Sequence, residues 1–148
     1  MLGALLVAQG AGKLLAPSAY VAALHRFDVF PAATLWEIAL AWMLCELVAG
    51  TSLLVAGLAR SPWPEAAWGA AACAVLLQLA YAALTFSATA RGLQIANCTC
   101  FGAFFPQRLS SWVLLQDVYM IGYAGWQLAK IWAWPQHARS ARALRLSV

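Results

Sequence analysis

The stretch AAWGAAACAVLLQLAYAALTFSATA, residues 66–90, carries no formal charge from end to end. At 1.5 Å per residue, a helix of this length is longer than the roughly 30 Å hydrocarbon core of a bilayer. The run does not alternate with period two, so a strand is not indicated. In lipid, a helix satisfies its own backbone hydrogen bonds. The rest of the chain has the same character, being 64% hydrophobic and only 9% charged. Soluble domains run nearer 45–50% apolar and about 25% charged, and a soluble chain of 148 residues has too little interior to hide this much apolar surface. An all-α integral membrane protein is expected.

Three further apolar segments flank this one, at about 2–16, 32–59 and 111–134. The segment at 32–59 is interrupted only by Glu37 and Glu46 and is broken by RSPWPE (60–65), whose two prolines cannot continue a helix. The segment at 2–16 begins at Met1 but lacks a basic n-region and carries Lys13 near its far end, unlike a signal peptide. Four spans nearly exhaust the chain, so a single transmembrane domain over 1–148 is expected, a four-helix transmembrane bundle ending in a basic tail at 135–148. Glycines and alanines in every span (GAGK at 10–13, Gly50, Gly57, WGAAACA at 68–74, Gly122, Gly125) predict close helix packing.

The formal net charge is +4, and the tail carries Arg139, Arg142 and Arg145 without an acid. It reads as a lipid-facing or simply solvated tail, with too little charge and no aromatic interleaving for nucleic acid. With Lys130 it places both termini in the cytoplasm, Arg60 inside, and Lys13, Arg26, Arg91 and Arg108 outside. Trp63, Trp132 and Trp134 then mark inner ends of spans and Trp36 and Trp112 outer ends, while Trp42 and Trp126 are expected between helices.

This topology makes ARGLQIANCTCFGAFFPQRLSS (90–111) an extracytoplasmic loop, in a compartment that permits disulfides. Cys98 and Cys100 can bond to each other only through a small, strained ring, and strained bridges are the labile ones. The pair therefore suits exchange, with a structural disulfide as the alternative. Two cysteines with no histidine nearby fall short of a four-ligand zinc site, so no metal is expected. Cys45 and Cys73 fall at similar depth in their spans, close enough to meet, and read as small apolar core residues. His25, beside Arg26 and Asp28, reads as a solvated loop residue.

By depth, Lys13, Glu37, Arg91 and Asp117 gather near the cysteine loop. Ionisable residues at such depth face a partner or a cavity. A nearby cation favours a thiolate and a carboxylate carries protons; alternatively the four form ion pairs, Lys13 with Asp117 or Arg91 with Glu37, that only orient helices. Glu46 lies deeper and on the opposite helix face from Glu37, at about 100° per residue. It is expected to be protonated or bonded to a neighbouring helix, beside a pocket suited to a quinone-like ligand.

The order GAGK, ELVAG (46–50), RG (91–92) and CTCFG (98–102), followed by a span with Asp117, resembles the MauE family, four-span membrane proteins related to the DoxX group. The resemblance falls on Lys13, Glu46, Gly50, Arg91, Gly92, Cys98, Cys100, Phe101 and Gly102. It implies a multi-pass protein of the bacterial inner membrane that works with a periplasmic thioredoxin-like protein to mature a disulfide-rich redox subunit, that of methylamine dehydrogenase in the namesake. The short first span departs from the family pattern. Gly102 permits a positive-φ turn after the thiols, and Phe101 is expected to seat the loop on the lipid interface and present the sulfurs outward.

The leading expectation is a membrane component of a thiol–disulfide relay. Cys98 and Cys100 exchange with the thioredoxin-like partner, Lys13 and Arg91 tune the thiolate, and Glu37 or Asp117 handles protons. A quinone as electron carrier enters by analogy with the DsbB and VKOR groups alone. The alternative is a non-catalytic scaffold or assembly factor whose loop disulfide is structural and whose helix faces bind a membrane partner or a second copy. A transporter fits less well, since four short spans with few polar residues line a pore poorly.

Overall fold

The computed structural model describes the backbone of residues 1–58, 64–102, 104 and 106–146, with side chains through residue 130 except those at 58, 64 and 65. The described residues form five α-helices: α1 (Leu2–Leu14), α2 (Pro17–Phe27), α3 (Leu35–Leu58, entered through a 3-10 turn at Ala32–Thr34), α4 (Pro64–Ala90) and α5 (Ser111–Leu146). Among the described residues there is no strand. The arginines of the tail, with Arg60, Trp63, Trp132 and Trp134, lie outside the described side chains.

Two stretches, Ala32–Gly57 and Ala66–Ala90, are long and apolar enough to cross a membrane. Their apolar residues do not all turn inward. Trp36, Leu40, Leu44, Val48 and Val55 of α3 and Trp68, Leu76, Leu79 and Phe86 of α4 are exposed. A helix that is hydrophobic on every side belongs in lipid or in a large protein core, and these outward faces have no protein against them. The secondary structure of the described residues is all helical, with two helices suited to crossing a membrane.

The other two expected spans differ from expectation. Helix α1 has 13 residues, about 20 Å at 1.5 Å per residue, which falls short of a bilayer core. It stops because Pro17 disfavours helical geometry at the residue before it, and Ala16 accordingly adopts φ −144° and ψ 65°. Pro17 then opens α2 at the first helical position, where a missing N–H costs nothing. The segment expected as an outer loop around His25 is thus a helix. Tyr20, Ala23, Leu24 and Phe27 form its buried face, with Tyr20 and Leu24 packed on Leu35, Ala39 and Met43 of α3. His25 itself is exposed, in the last turn. At the other end of the chain, α5 runs 36 residues to Leu146, so the region expected as a tail continues the helix.

Helix α1 lies along α3, α3 against α4 and α4 against α5, with α2 against the first turns of α3. All four long elements meet in one apolar cluster of Leu2, Leu6, Ala49, Ala74, Met120 and Ala124. Backbones touch between α1 and α3: a Cβ on Gly3 would lie 2.7 Å from the Gly50 carbonyl oxygen, and one on Gly50 2.8 Å from the Val7 nitrogen. Small residues substitute here for the hydrophobic drive that lipid removes. Trp42 packs between helices as expected, its ring 5.0 Å from that of Tyr81. Trp126 does not, because it is half exposed, with the Lys130 ammonium 3.7 Å above its ring.

Gly50→Val is expected to force α1 off α3 at a cost of about 1–3 kcal/mol. Thermal unfolding in detergent, followed by circular dichroism, should show a lower midpoint. Gly57→Ala should leave the midpoint in place, since a Cβ there meets nothing within 4 Å.

Candidate functional site

The loop after α4 is built by local rules. Gly92, at φ +67°, ends the helix: its N–H donates to the Thr89 carbonyl, and the Leu93 N–H donates to the Ala88 carbonyl, the paired bonds of a Schellman cap. Two bonds then tie the outgoing and returning arms, Leu109 N–H to the Ile95 carbonyl and Cys98 N–H to the Gln107 carbonyl, both at 2.9 Å. The Asn97 side-chain oxygen accepts from the Thr99 N–H at 2.9 Å and from the Gln107 N–H at 3.3 Å. Thr99 is left-handed, at φ 53°, which bends Cys-Thr-Cys so that both sulfurs fall on one side, 3.1 Å apart. A disulfide closes that gap at about 2.05 Å.

The sulfurs do not face outward as expected. Cys98 is 4% exposed and Cys100 8%, in a cluster with Phe27 of α2, Tyr81, Leu84 and Ala88 of α4 and Val113 of α5, with Phe101 packed against it. Gly102 explains the insertion. It has φ +82°, and a Cβ there would lie 2.4 Å from the Gly12 carbonyl carbon and oxygen. A Cβ on Gly12 would in turn lie 2.6 Å from the Phe101 carbonyl oxygen. The glycines of GAGK and CTCFG interlock backbone to backbone, so the loop caps the C-terminal end of the short α1 instead of resting on the lipid surface.

This contact places Lys13 beside the thiols. Lys13 and Glu46 are both fully buried and form the one ion pair found among the described residues. The ammonium donates to Glu46 Oε1 at 2.6 Å, to Oε2 at 2.8 Å and to the Tyr81 hydroxyl at 2.6 Å. The Tyr81 hydroxyl donates in turn to Glu46 Oε1. The rings of Tyr81 and Tyr20 lie 4.9 and 5.4 Å from the ammonium. Breaking such a pair by removing one partner typically costs 3–5 kcal/mol.

The expected pairs of Lys13 with Asp117 and of Arg91 with Glu37 do not form. Helix α2 lengthens the first wall of the bundle beyond Leu14, so Lys13 stands at the depth of Glu46 and not at an outer rim. Glu46 is bonded to neighbouring helices, as one expectation had it, and belongs with the group near the loop, contrary to the other. Arg91 is exposed and donates to the Phe27 carbonyl and, at 3.4 Å, to the Asp28 carbonyl, a cation at the C-terminus of α2. Glu37 is exposed on the outer face of α3. Asp117 does reach the site. It is 5% exposed, its Oδ2 has no partner, Thr85 of α4 lies against it, and its charge acts on both sulfurs. Cys45 and Cys73 neighbour each other across α3 and α4, Cys45 exposed and Cys73 half-buried, so Cys45 faces outward and is not a core residue.

The two thiols are electrostatically unequal. The Cys100 thiol and backbone N–H stabilise a Cys98 thiolate and, against burial, bring Cys98 down to about 7. Cys100 is pushed well above the usual thiol range by Cys98 beside it, by burial and by Asp117, with Lys13 acting in the opposite direction. Their surroundings favour the thiolate on Cys98 and the proton on Cys100. Among the described residues no group of three or more His, Cys, Asp or Glu is placed to hold a metal.

The chain matches the family described as "Methylamine utilisation protein MauE" over residues 1–133. It belongs to the MauE family. No curated protein and no solved structure matches it. In this MauE chain the family-like motifs GAGK, ELVAG and CTCFG converge in space. Tyr81, Tyr20 and Thr85 were missed from the sequence. Gln78, Tyr81 and Thr85, all buried, recur at i, i+3 and i+7, the one polar stripe on an otherwise apolar helix, and that spacing was the available signal.

Alkylation of the reduced protein, with sites assigned by mass spectrometry, should modify Cys98 with a midpoint near pH 7 and leave Cys100 largely unmodified at that pH. In C100A the Cys98 midpoint should rise toward the ordinary thiol value, since the S–H donor is gone. Equal reactivity of the two cysteines would contradict the assigned asymmetry.

Proposed function

We propose that this MauE protein is the membrane component of an extracytoplasmic thiol–disulfide relay, with both termini in the cytoplasm of a bacterial cell and the Cys98–Cys100 loop on the far side of the inner membrane. Its soluble partner is a thioredoxin-like protein, and its end product is a mature disulfide-containing redox protein of methylamine utilisation, the process in the family's name. The observation that carries this reading is the pair of sulfurs 3.1 Å apart, one favoured as thiolate and the other as thiol.

The exchange balances as follows. A thiolate of the partner's dithiol attacks Cys98 Sγ of the oxidised pair; the new S–S bond forms as the Cys98–Cys100 bond breaks, and the electron pair leaves on Cys100 Sγ. The partner's second thiolate then attacks its own sulfur in the mixed disulfide and expels Cys98, whose low proton affinity makes it a good leaving group. The partner's two thiol protons end on the Cys98–Cys100 pair, with the free carboxylate oxygen of Asp117 placed to carry them. Restoring the bond takes two electrons and two protons from the dithiol, which a quinone in the bilayer would accept. Because both sulfurs are buried, exchange requires the loop to lift from Gly12.

That same burial supports a second reading, a scaffold in which a closed disulfide only shapes the loop. The two are separated by trapping. With a relay, C100S should accumulate a mixed disulfide between Cys98 and the thioredoxin-like partner, visible on non-reducing gels, and C98S should not. With a scaffold, neither variant traps a partner, and the C98S/C100S protein retains most of its function in maturing the redox protein.

A further inference from the structure

The buried ammonium of Lys13 has all three of its donors committed, two to Glu46 and one to Tyr81. It cannot swing toward a ligand or solvent. The carboxylate lies on α3, the phenol on α4, and α1 is held against the loop by Gly12 and Gly102. Three helices and the thiol loop thus fix the ammonium, together with its carboxylate partner, on the side of the bundle that the loop covers. Such a charge is costly to bury, and Arg91, which guards the end of α2, does not share its task.

We infer that Lys13, held by Glu46 and Tyr81, is the fixed counter-charge for the thiolate that forms on Cys100 when the Cys98–Cys100 bond opens, and that Glu46 and Tyr81 are positioning residues acting through it. The inference deepens the relay reading and rests on it for its place in the cycle. Cys98 departs with a thiol beside it. Cys100 has no such donor when the electron pair arrives, and the groups acting on it are Cys98 in the loop, Asp117 on α5, Lys13 on α1, Tyr81 on α4 and Tyr20 on α2, with Glu46 of α3 bonded to Lys13. Of these, Lys13 alone supplies positive charge. Asp117 opposes a thiolate, so without Lys13 the bond would open against a carboxylate and an apolar wall.

The test uses C98S/C45A/C73A protein, in which Cys100 is the only thiol, and measures its alkylation rate against pH. Replacing the whole ion pair, K13M/E46L, removes the charge without stranding a partner, a change that buried pairs often tolerate. Its profile should move to higher pH by about one unit, an approximately tenfold slower reaction at fixed pH below the midpoint. Y81F, which keeps the pair but loosens it, should move the profile in the same direction by less. Superposition of the K13M/E46L profile on that of the parent overturns the role of Lys13. A shift there with none in Y81F overturns the positioning role of Tyr81. Both readouts need no partner protein, so a shifted profile alongside failed trapping of a mixed disulfide overturns the relay and leaves this electrostatic assignment standing.

Discussion

A lysine ammonium with no exposure to solvent must be neutralised where it stands, and much of this structure follows from how that is done. Glu46 supplies the charge, Tyr81 closes the triangle of hydrogen bonds, and each comes from a different helix. The three helices are therefore locked in register by groups that tolerate little displacement, since an unpaired charge in this interior would cost several kcal/mol. Apolar contacts between membrane helices lack this specificity, because lipid competes for them on nearly equal terms. The alanine and leucine cluster at the start of α1 gives close packing; the ion pair gives register.

The thiol loop depends on the same arrangement. Helix α1 ends at Leu14, directly after Lys13, and the turn around Gly102 packs against its last turn at Gly12. Any side chain at residue 12 or 102 would hold the two backbones apart. The brevity of α1, the break at Pro17 and the glycine after the cysteines are three parts of one fitting, which brings sulfur, ammonium and carboxylate together in a protein with few charged residues.

How much of this was legible can be judged residue by residue. Helices α3 and α4 were plain, because a long uninterrupted apolar run has one stable form in lipid. The cysteine pair was plain from its spacing and its likeness to the family motif. The partner of Lys13 was not, because the polar composition of 17–31 reads as a loop, which sets Lys13 at an outer rim and Glu46 out of its reach. Tyr20, Ala23, Leu24 and Phe27 repeat at i, i+3, i+4 and i+7 behind a proline suited to a helix start, so the signal for α2 was present beneath the polar residues around it. Burial of the loop was a different matter. It depends on two glycine backbones meeting across ninety positions of sequence, and no local pattern encodes that meeting.

The short first helix also shapes the surrounding lipid. Along α3 and α4 the apolar wall matches or exceeds the thickness of a bilayer, whereas α1 offers about 20 Å before the chain turns at Leu15 and presents the exposed Ser18, His25 and Arg26. Hydrophobic mismatch of this kind is relieved by thinning of the adjacent leaflet. A bilayer relieved in this way would be thinnest on the flank of the protein where α1 gives way to α2.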